Sequence, residues 1–131
     1  MFTQIKTSKA NREIVTELSQ RFNLGAENTI ARIALVYSLS QGRKLDLANI
    51  ADSQGKEYSK NVLFGSNLAF YVGLVCVHYN LYKTDKDIPK YIKMHIDDGL
   101  ELMNKELKDN PNLNGMDYLM DKIDKGLNQI C

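Results

Sequence analysis

The side chains here with the capacity for chemistry fall into three sets. The first is basic and early: Lys6, Lys9, Arg12, Arg21, Arg32, Arg43 and Lys44 stand against only Glu13, Glu17 and Glu27 up to residue 44. Cationic side chains attract phosphates whatever the nucleotide sequence, although a solvated surface without a ligand is an equally good reading of charge alone. Lys6, Lys9, Arg12, Arg32, Arg43 and Lys44 are therefore the candidate phosphate contacts. The second set is His78, His95, Cys76 and Cys131. Neither histidine pair nor cysteine pair has metal-ligand or disulfide-framework spacing, each histidine lies among apolar residues, and apolar neighbours make Cys76 a poor nucleophile. The third set is Asp97, Asp98 and Glu101, an acidic patch expected on the wet face of a helix, with no acid/base partner in view. Glycines are scattered, with no phosphate-cradling loop and no zinc or redox motif. The expectation is a protein that binds, without catalytic residues, cofactor or metal.

Composition narrows the class. With 131 residues, a single domain over 1–131 is expected, long enough to bury one core. The chain is 44% hydrophobic and 25% charged with a net charge of +1, ordinary for a globular protein and not that of a wholly basic nucleic-acid binder. The excess of positive charge in the first 44 residues means that the rest is net acidic. The opening residues lack a signal-peptide core, and no uninterrupted apolar run reaches the ~18 residues of a membrane span. Cytoplasmic location and no membrane partner are expected.

The elements that must position the basic residues follow from periodicity. Phe2–Ser8 is β-compatible, with Gln4, Lys6 and Ser8 on one face and Thr3, Ile5 and Thr7 on the other. A lone strand needs a partner, and the same strand of another subunit is the expected one. Ser8 is a candidate N-cap. Ala10, Ile14, Val15, Leu18 and Phe22 then make an amphipathic stripe that ends at Asn23-Leu24-Gly25. Gly25–Leu39 is apolar nearly all round, which marks a buried helix. One stripe, Ile30, Ile33, Ala34 and Tyr37, is expected to face the core. The other, Ala31, Leu35 and Leu39, is expected to face a second copy, with Gly42 as the C′ residue.

Arg43–Asn61 reads as a long polar loop with a short strand or turn around Leu45–Ile50. Gly65–Tyr82, capped by Ser66 or Asn67, has the composition of a central core helix. Ile88–Lys108 carries Tyr91, Ile92, His95, Ile96, Leu100, Met103 and Leu107 at three- and four-residue steps; Pro89 sits where proline is tolerated, and Gly99 marks a kink or a close approach. Met116–Leu127 is a last short helix with Met116, Leu119, Met120, Ile123 and Leu127 on one side. The fold class is mainly α: a small helical domain with a short N-terminal β segment and a ribbon-helix-helix-like first half. In that architecture two chains pair strands in a DNA groove. Glu27, in the first turn of the second helix, would repel a phosphate there.

The blocks IKTSKANREIVTELSQR, NLGAENTIARIALVYSLSQGRK (Asn23–Lys44), GKEYSKNVLFG (Gly55–Gly65) and HIDDGLELM (His95–Met103) resemble the DNA sulfur modification protein DndE family. The resemblance covers Ile5 to Lys105, and residues 111–131 look like a C-terminal extension. It implies a small helical, non-enzymatic DNA-binding subunit of the machinery that places sulfur on the DNA backbone, favouring nicked duplex. It also implies a homo-oligomer whose partners are DNA phosphates and the other sulfur-modification subunits, which carry the chemistry. A scaffold subunit of the same complex and a ribbon-helix-helix transcriptional repressor are the alternatives.

Overall fold

The computed structural model describes residues 2–130, so the expectation for Cys131 lies outside the described residues. Its elements are β1 (Gln4–Lys6), α1 (Asn11–Phe22), α2 (Glu27–Ser40), β2 (Glu57–Ser59), α3 (Lys60–Phe64), α4 (Leu68–Tyr79), α5 (Ile88–Asp109) and α6 (Gly115–Ile130), with single 3₁₀ turns at Leu47–Asn49 and Gly65–Asn67. The mainly α class with a short N-terminal β segment is borne out.

α5 occupies the centre. Ile88, Ile92, Ile96, Leu100, Met103 and Leu107 are buried along it at steps of three and four, and at 22 residues it is long enough to meet α1, α2, α4 and β1. Its main neighbour is α2, through Ile30, Ala31, Ala34 and Leu35, all fully buried. The crossing is set by Gly99: a Cβ there would lie 1.9 Å from the Ala34 carbonyl oxygen. The close approach read from Gly99 is thus present, and only a hydrogen in place of a side chain permits it.

Four expectations are corrected. The partner of β1 is not another subunit but β2, antiparallel within the chain, with Gln4 opposite Ser59, Ile5 opposite Tyr58 and Lys6 opposite Glu57. The polar loop concealed that strand because three residues with one apolar member carry no readable alternation; the expected feature at Leu45–Ile50 is the 3₁₀ turn. The second stripe of α2 is covered by the chain itself, Ala31 and Leu35 being buried, so it does not await a second copy. Ser8 does not cap α1: Ala10 stands at the N-cap without a side-chain hydrogen bond. Asn67 does stand at the N-cap of α4, also without a side-chain hydrogen bond, while Ser59 caps α3 by accepting from the Val62 N–H.

The fourth correction concerns α4. It was expected at the centre of the core, yet only Val72 and Val75 are buried, while Phe70 is 62% and Val77 84% exposed. Apolarity alone does not say which helix is central; α5 has a polar face as well as an apolar stripe, and α4 has no polar face to turn outward. Taken as one run, Lys60–Tyr79 has the length and apolarity of a membrane span. It is broken between α3 and α4, where Gly65 has φ 54°, and Leu63, Phe64, Val72 and Val75 pack into the core.

Gly99→Ala should destabilise the fold by roughly 2–3 kcal/mol through overpacking, although alanine favours a helix by about 1 kcal/mol over glycine. Urea unfolding measures it; a variant as stable as the parent would show that the crossing relaxes freely.

Candidate nucleic-acid interface

The basic N-terminal residues are positioned by the turn between β1 and α1. That turn is short and polar, and a buried carboxylate holds it. Asp97, in the middle of α5, accepts from the Ser8 N–H at 3.0 Å and from the Asn11 amide at 2.7 Å through one oxygen, and from Lys93 Nζ at 2.7 Å through the other. Lys93 and Asp97 both lie in the interior, a pair that desolvation makes costly unless every lone pair is used. The acidic patch expected on a wet face is therefore partly a core clamp. Polar residue types on a helix suggested water, and the burial of Asp97 depends on Ser8 and Asn11, nearly ninety positions away.

The loop from Arg43 to Lys56 is stitched to the same turn. The Lys9 N–H donates to Asp52 Oδ1 at 2.9 Å, the Gly55 N–H to the Thr7 carbonyl at 2.9 Å, and the Thr7 N–H to the Lys56 carbonyl at 2.9 Å. Gly55 is required there, because a Cβ would lie 2.1 Å from the Ser8 carbonyl oxygen. Two N–H groups, of Lys9 first and of Gln54, hold the Asp52 carboxyl below the usual carboxylate range.

The beginning of that loop is fixed by a directed chain of hydrogen bonds. The Leu45 N–H donates to the Tyr79 hydroxyl at 2.9 Å, which lies 2.6 Å from His95 Nε2; His95 Nδ1 lies 2.7 Å from Ser38 Oγ, and Ser38 donates to Asp98 at 2.6 Å. Since the Ser38 proton goes to Asp98, Nδ1 must carry the proton that Ser38 accepts, and Nε2 accepts from Tyr79. The chain is complete with a neutral imidazole. Burial, and next the neighbouring His78, lower the His95 pKa to about 4. Asp98 also pairs with Arg43 at 2.7 Å, and His78 Nε2 lies 2.6 Å from the Arg43 carbonyl. Both histidines are thus structural. Among the described residues no group of three or more His, Cys, Asp or Glu is placed to hold a metal ion.

The six candidate phosphate contacts divide. Lys6, Lys9, Arg12 and Lys44 are exposed and make no ion pair among the described residues. Lys9 and Arg12 flank the turn held by Asp97, and Arg43 and Lys44 begin the loop held by the adjacent Asp98, so one turn of α5 gathers them. Arg43 is paired yet half-exposed. Arg32 is turned to α3, donating to the Leu63 carbonyl at 2.8 Å and to Thr29 at 3.2 Å; this is how a charge inside an apolar helix is accommodated. Arg21 is likewise spent, on the carbonyls of Leu107, Asn110, Pro111 and Leu113. Sequence reasoning passed over Lys83 and Lys86, which with Phe2 and Pro89 line a cavity of about 480 Å³ at the start of α5. The signal was two lysines in a polar break.

A mainly helical fold with a small two-stranded sheet that includes the N-terminal strand is the class so defined, and comparison with known proteins gives it a family. The family model described as DNA sulphur modification protein DndE matches residues 4–110. The chain belongs to the DndE family. Among solved structures it is similar to the crystal structure of DndE from Escherichia coli B7A, involved in DNA phosphorothioation modification, with a TM-score of 0.63 and 16% identity over 79% of this chain and 98% of that one. At that identity the likeness is one of fold. No curated protein matches the chain.

Two measurements check the polar core. Asp97→Asn leaves the Lys93 charge buried without its counter-ion and should cost about 3 kcal/mol in urea unfolding; an unchanged midpoint would show the pair to be dispensable. Unfolded histidine binds a proton near pH 6.5, while folded His95 does so only near pH 4. Its contribution is therefore fully present above pH 6.5 and is lost as pH falls toward 4, with about 2 kcal/mol gone by about pH 5. His95→Gln should flatten that part of the stability profile between about pH 7 and 5.

Proposed function

We propose that the chain is a non-enzymatic DNA-binding subunit of a DNA phosphorothioation system, acting in the cytoplasm as a homo-oligomer and favouring nicked over intact duplex. The observation that carries the DNA part is that Lys6, Lys9, Arg12 and Lys44 are exposed cations in no ion pair among the described residues, with Lys9 and Arg12 beside the turn held by Asp97, Lys44 on the loop and Lys6 on β1 opposite Glu57. Membership of the DndE family supports the pathway. Arg43 joins these cations by exchanging Asp98 for a phosphate; Arg32, committed to α3, is the weakest of the six candidates. Phosphate recognition by side chains alone carries no base sequence, which accords with a protein that acts on backbone structure. The repressor alternative needed a ribbon made by two chains, and β1 finds its partner within its own chain.

A second reading has its own observation. The outward face of α4, with Ala69, Phe70, Gly73 and Val77, is apolar and unpaired. Large apolar patches mark interaction sites. This face supports a scaffold role toward the other subunits or copies, with DNA held weakly or not at all.

A salt titration of binding to intact and nicked duplex tests the leading reading. Each phosphate neutralised adds about 0.9 to the slope of log K against log salt. Replacing Lys6, Lys9, Arg12 and Lys44 by glutamine should reduce the slope by roughly 3 to 4 and weaken both duplexes. Absence of binding to either duplex at low salt would sink it; co-purification with sulfur-transfer subunits, unaffected by those replacements, would favour the scaffold.

A further inference from the structure

The two cations that open the long loop do not sit on loose backbone. His78 Nε2 donates to the Arg43 carbonyl at 2.6 Å, and the Leu45 N–H donates to the Tyr79 hydroxyl at 2.9 Å, so the chain is pinned on both sides of Lys44. Both pins come from the last turn of α4, and both rings are packed: His78 lies edge-on to His95 at 5.3 Å, and Tyr79 stacks on Tyr91 at 3.9 Å. What is left to move is side chain. The Lys44 ammonium is exposed and in no ion pair among the described residues, and the Arg43 guanidinium is half-exposed.

That guanidinium is folded back onto α5. Its Nη2 donates to Asp98 Oδ2 at 2.7 Å, and the same oxygen accepts from Ser38 Oγ at 2.6 Å. The two donors differ in freedom. Ser38 is buried in α2 and is itself bonded to His95 Nδ1 at 2.7 Å, while Arg43 reaches the oxygen from the solvent side. The Asp98 side chain is only 19% exposed. Its carboxylate is therefore held from behind and keeps its place whether or not Arg43 occupies it. In an ordinary surface pair both ends wander, and ordering them cancels most of the attraction; here one end is already ordered.

A carboxylate and a phosphate offer a guanidinium the same kind of acceptor, paired oxygens for a planar fork of donors. Arg43 can serve one or the other. Beside it Lys44, on pinned backbone and without a partner, is free to attract a phosphate. We propose that Asp98 is an internal competitor for DNA phosphate: it stows the Arg43 guanidinium in the free protein, and a phosphate drawn to Lys44 takes that guanidinium over, leaving Asp98 on Ser38. The inference rests on the DNA-binding reading above and adds to it a residue that opposes binding. With the backbone pinned by His78 and Tyr79, the exchange is a side-chain rotation and needs no opening of the loop. Breaking the pair costs the same on every duplex, so Asp98 sets affinity and leaves base sequence unread.

The test is a cycle on the full chain: affinity for a short duplex at low salt is measured for the parent, Asp98→Asn, Arg43→Gln and the double variant. Asparagine keeps an oxygen for Ser38 but gives up the charge that stows Arg43, so Asp98→Asn should tighten binding about two- to fivefold, the range of a partly exposed ion pair. With Arg43→Gln in place the same change should have little effect, because no guanidinium remains to be released. Tightening by the same factor in both backgrounds is the mark of a general repulsion between Asp98 and DNA, and it overturns the proposal. Unchanged affinity of Asp98→Asn, in a parent that binds, overturns it too and leaves the DNA-binding reading standing. A parent that binds no duplex overturns that reading and this inference together. Should Asp98→Asn unfold, the parent alone decides: by NMR the Arg43 Nε–H resonance should move at saturating duplex, and a resonance that stays in place overturns the exchange.

Discussion

Where Gly99 meets Ala34, the backbones of α5 and α2 are in contact, and the rest of the molecule is arranged around that contact. One turn from Ala34, Ser38 reaches His95 and Asp98, which lie one turn and one residue before Gly99. On the other side of the crossing Tyr37 reaches Glu106. None of these three hydrogen bonds keeps its length if the helices separate by the width of a methyl group, so the polar links inherit their geometry from a steric condition. The dispersion and hydrophobic terms that hold Ile30, Leu35, Ile96 and Leu100 together act across the same crossing.

The buried polar groups then do what apolar packing cannot, which is to specify where loops go. Asp97 takes its bonds from Ser8 and Asn11, and His95 takes Tyr79, which in turn takes Leu45. Each chain begins in α5 and ends on backbone of a segment with no regular structure of its own. Such groups are costly when half-satisfied, and among the described residues they are nearly all paired; the side-chain oxygen Oδ1 of Asn11 and the Tyr58 hydroxyl are buried without a protein partner. Glu106 serves the C-terminal helix in the same way. Burial would raise its pKa, but hydrogen bonds from Tyr37, Tyr118 and Lys122 bring it below the ordinary value.

What could be read in advance was what periodicity writes. The stripes of α1 and α5, the stop at Asn23 with φ 53° and the turn at Gly42 with φ 74° lie where residue type places them. Partnership was hidden. Glu57–Ser59 is too short to announce itself as a strand, and Ala31 and Leu35 do not reveal whether a helix of the same chain will cover them. Charge was legible as a count and not as a disposition. Of the seven early cations, Arg21 and Arg32 are spent on carbonyls, since ends of helices leave unsatisfied oxygens, and Arg43 is spent on the Asp98 carboxylate; a one-dimensional tally contains neither kind of partner. The helix mistaken for the centre, α4, was misread because apolar composition was taken for burial.

Arg21 gives the C-terminal helix a mechanical character that its position outside the family match would not suggest. Its guanidinium gathers four carbonyls that straddle the end of α5 and the entry to α6, and Tyr118 and Lys122 brace the next turn against Glu106. The joint is a bracket, not a tether. The first turns of α6 therefore move as one piece with α1 and α5, and a displacement of that end of the helix is a displacement of the body.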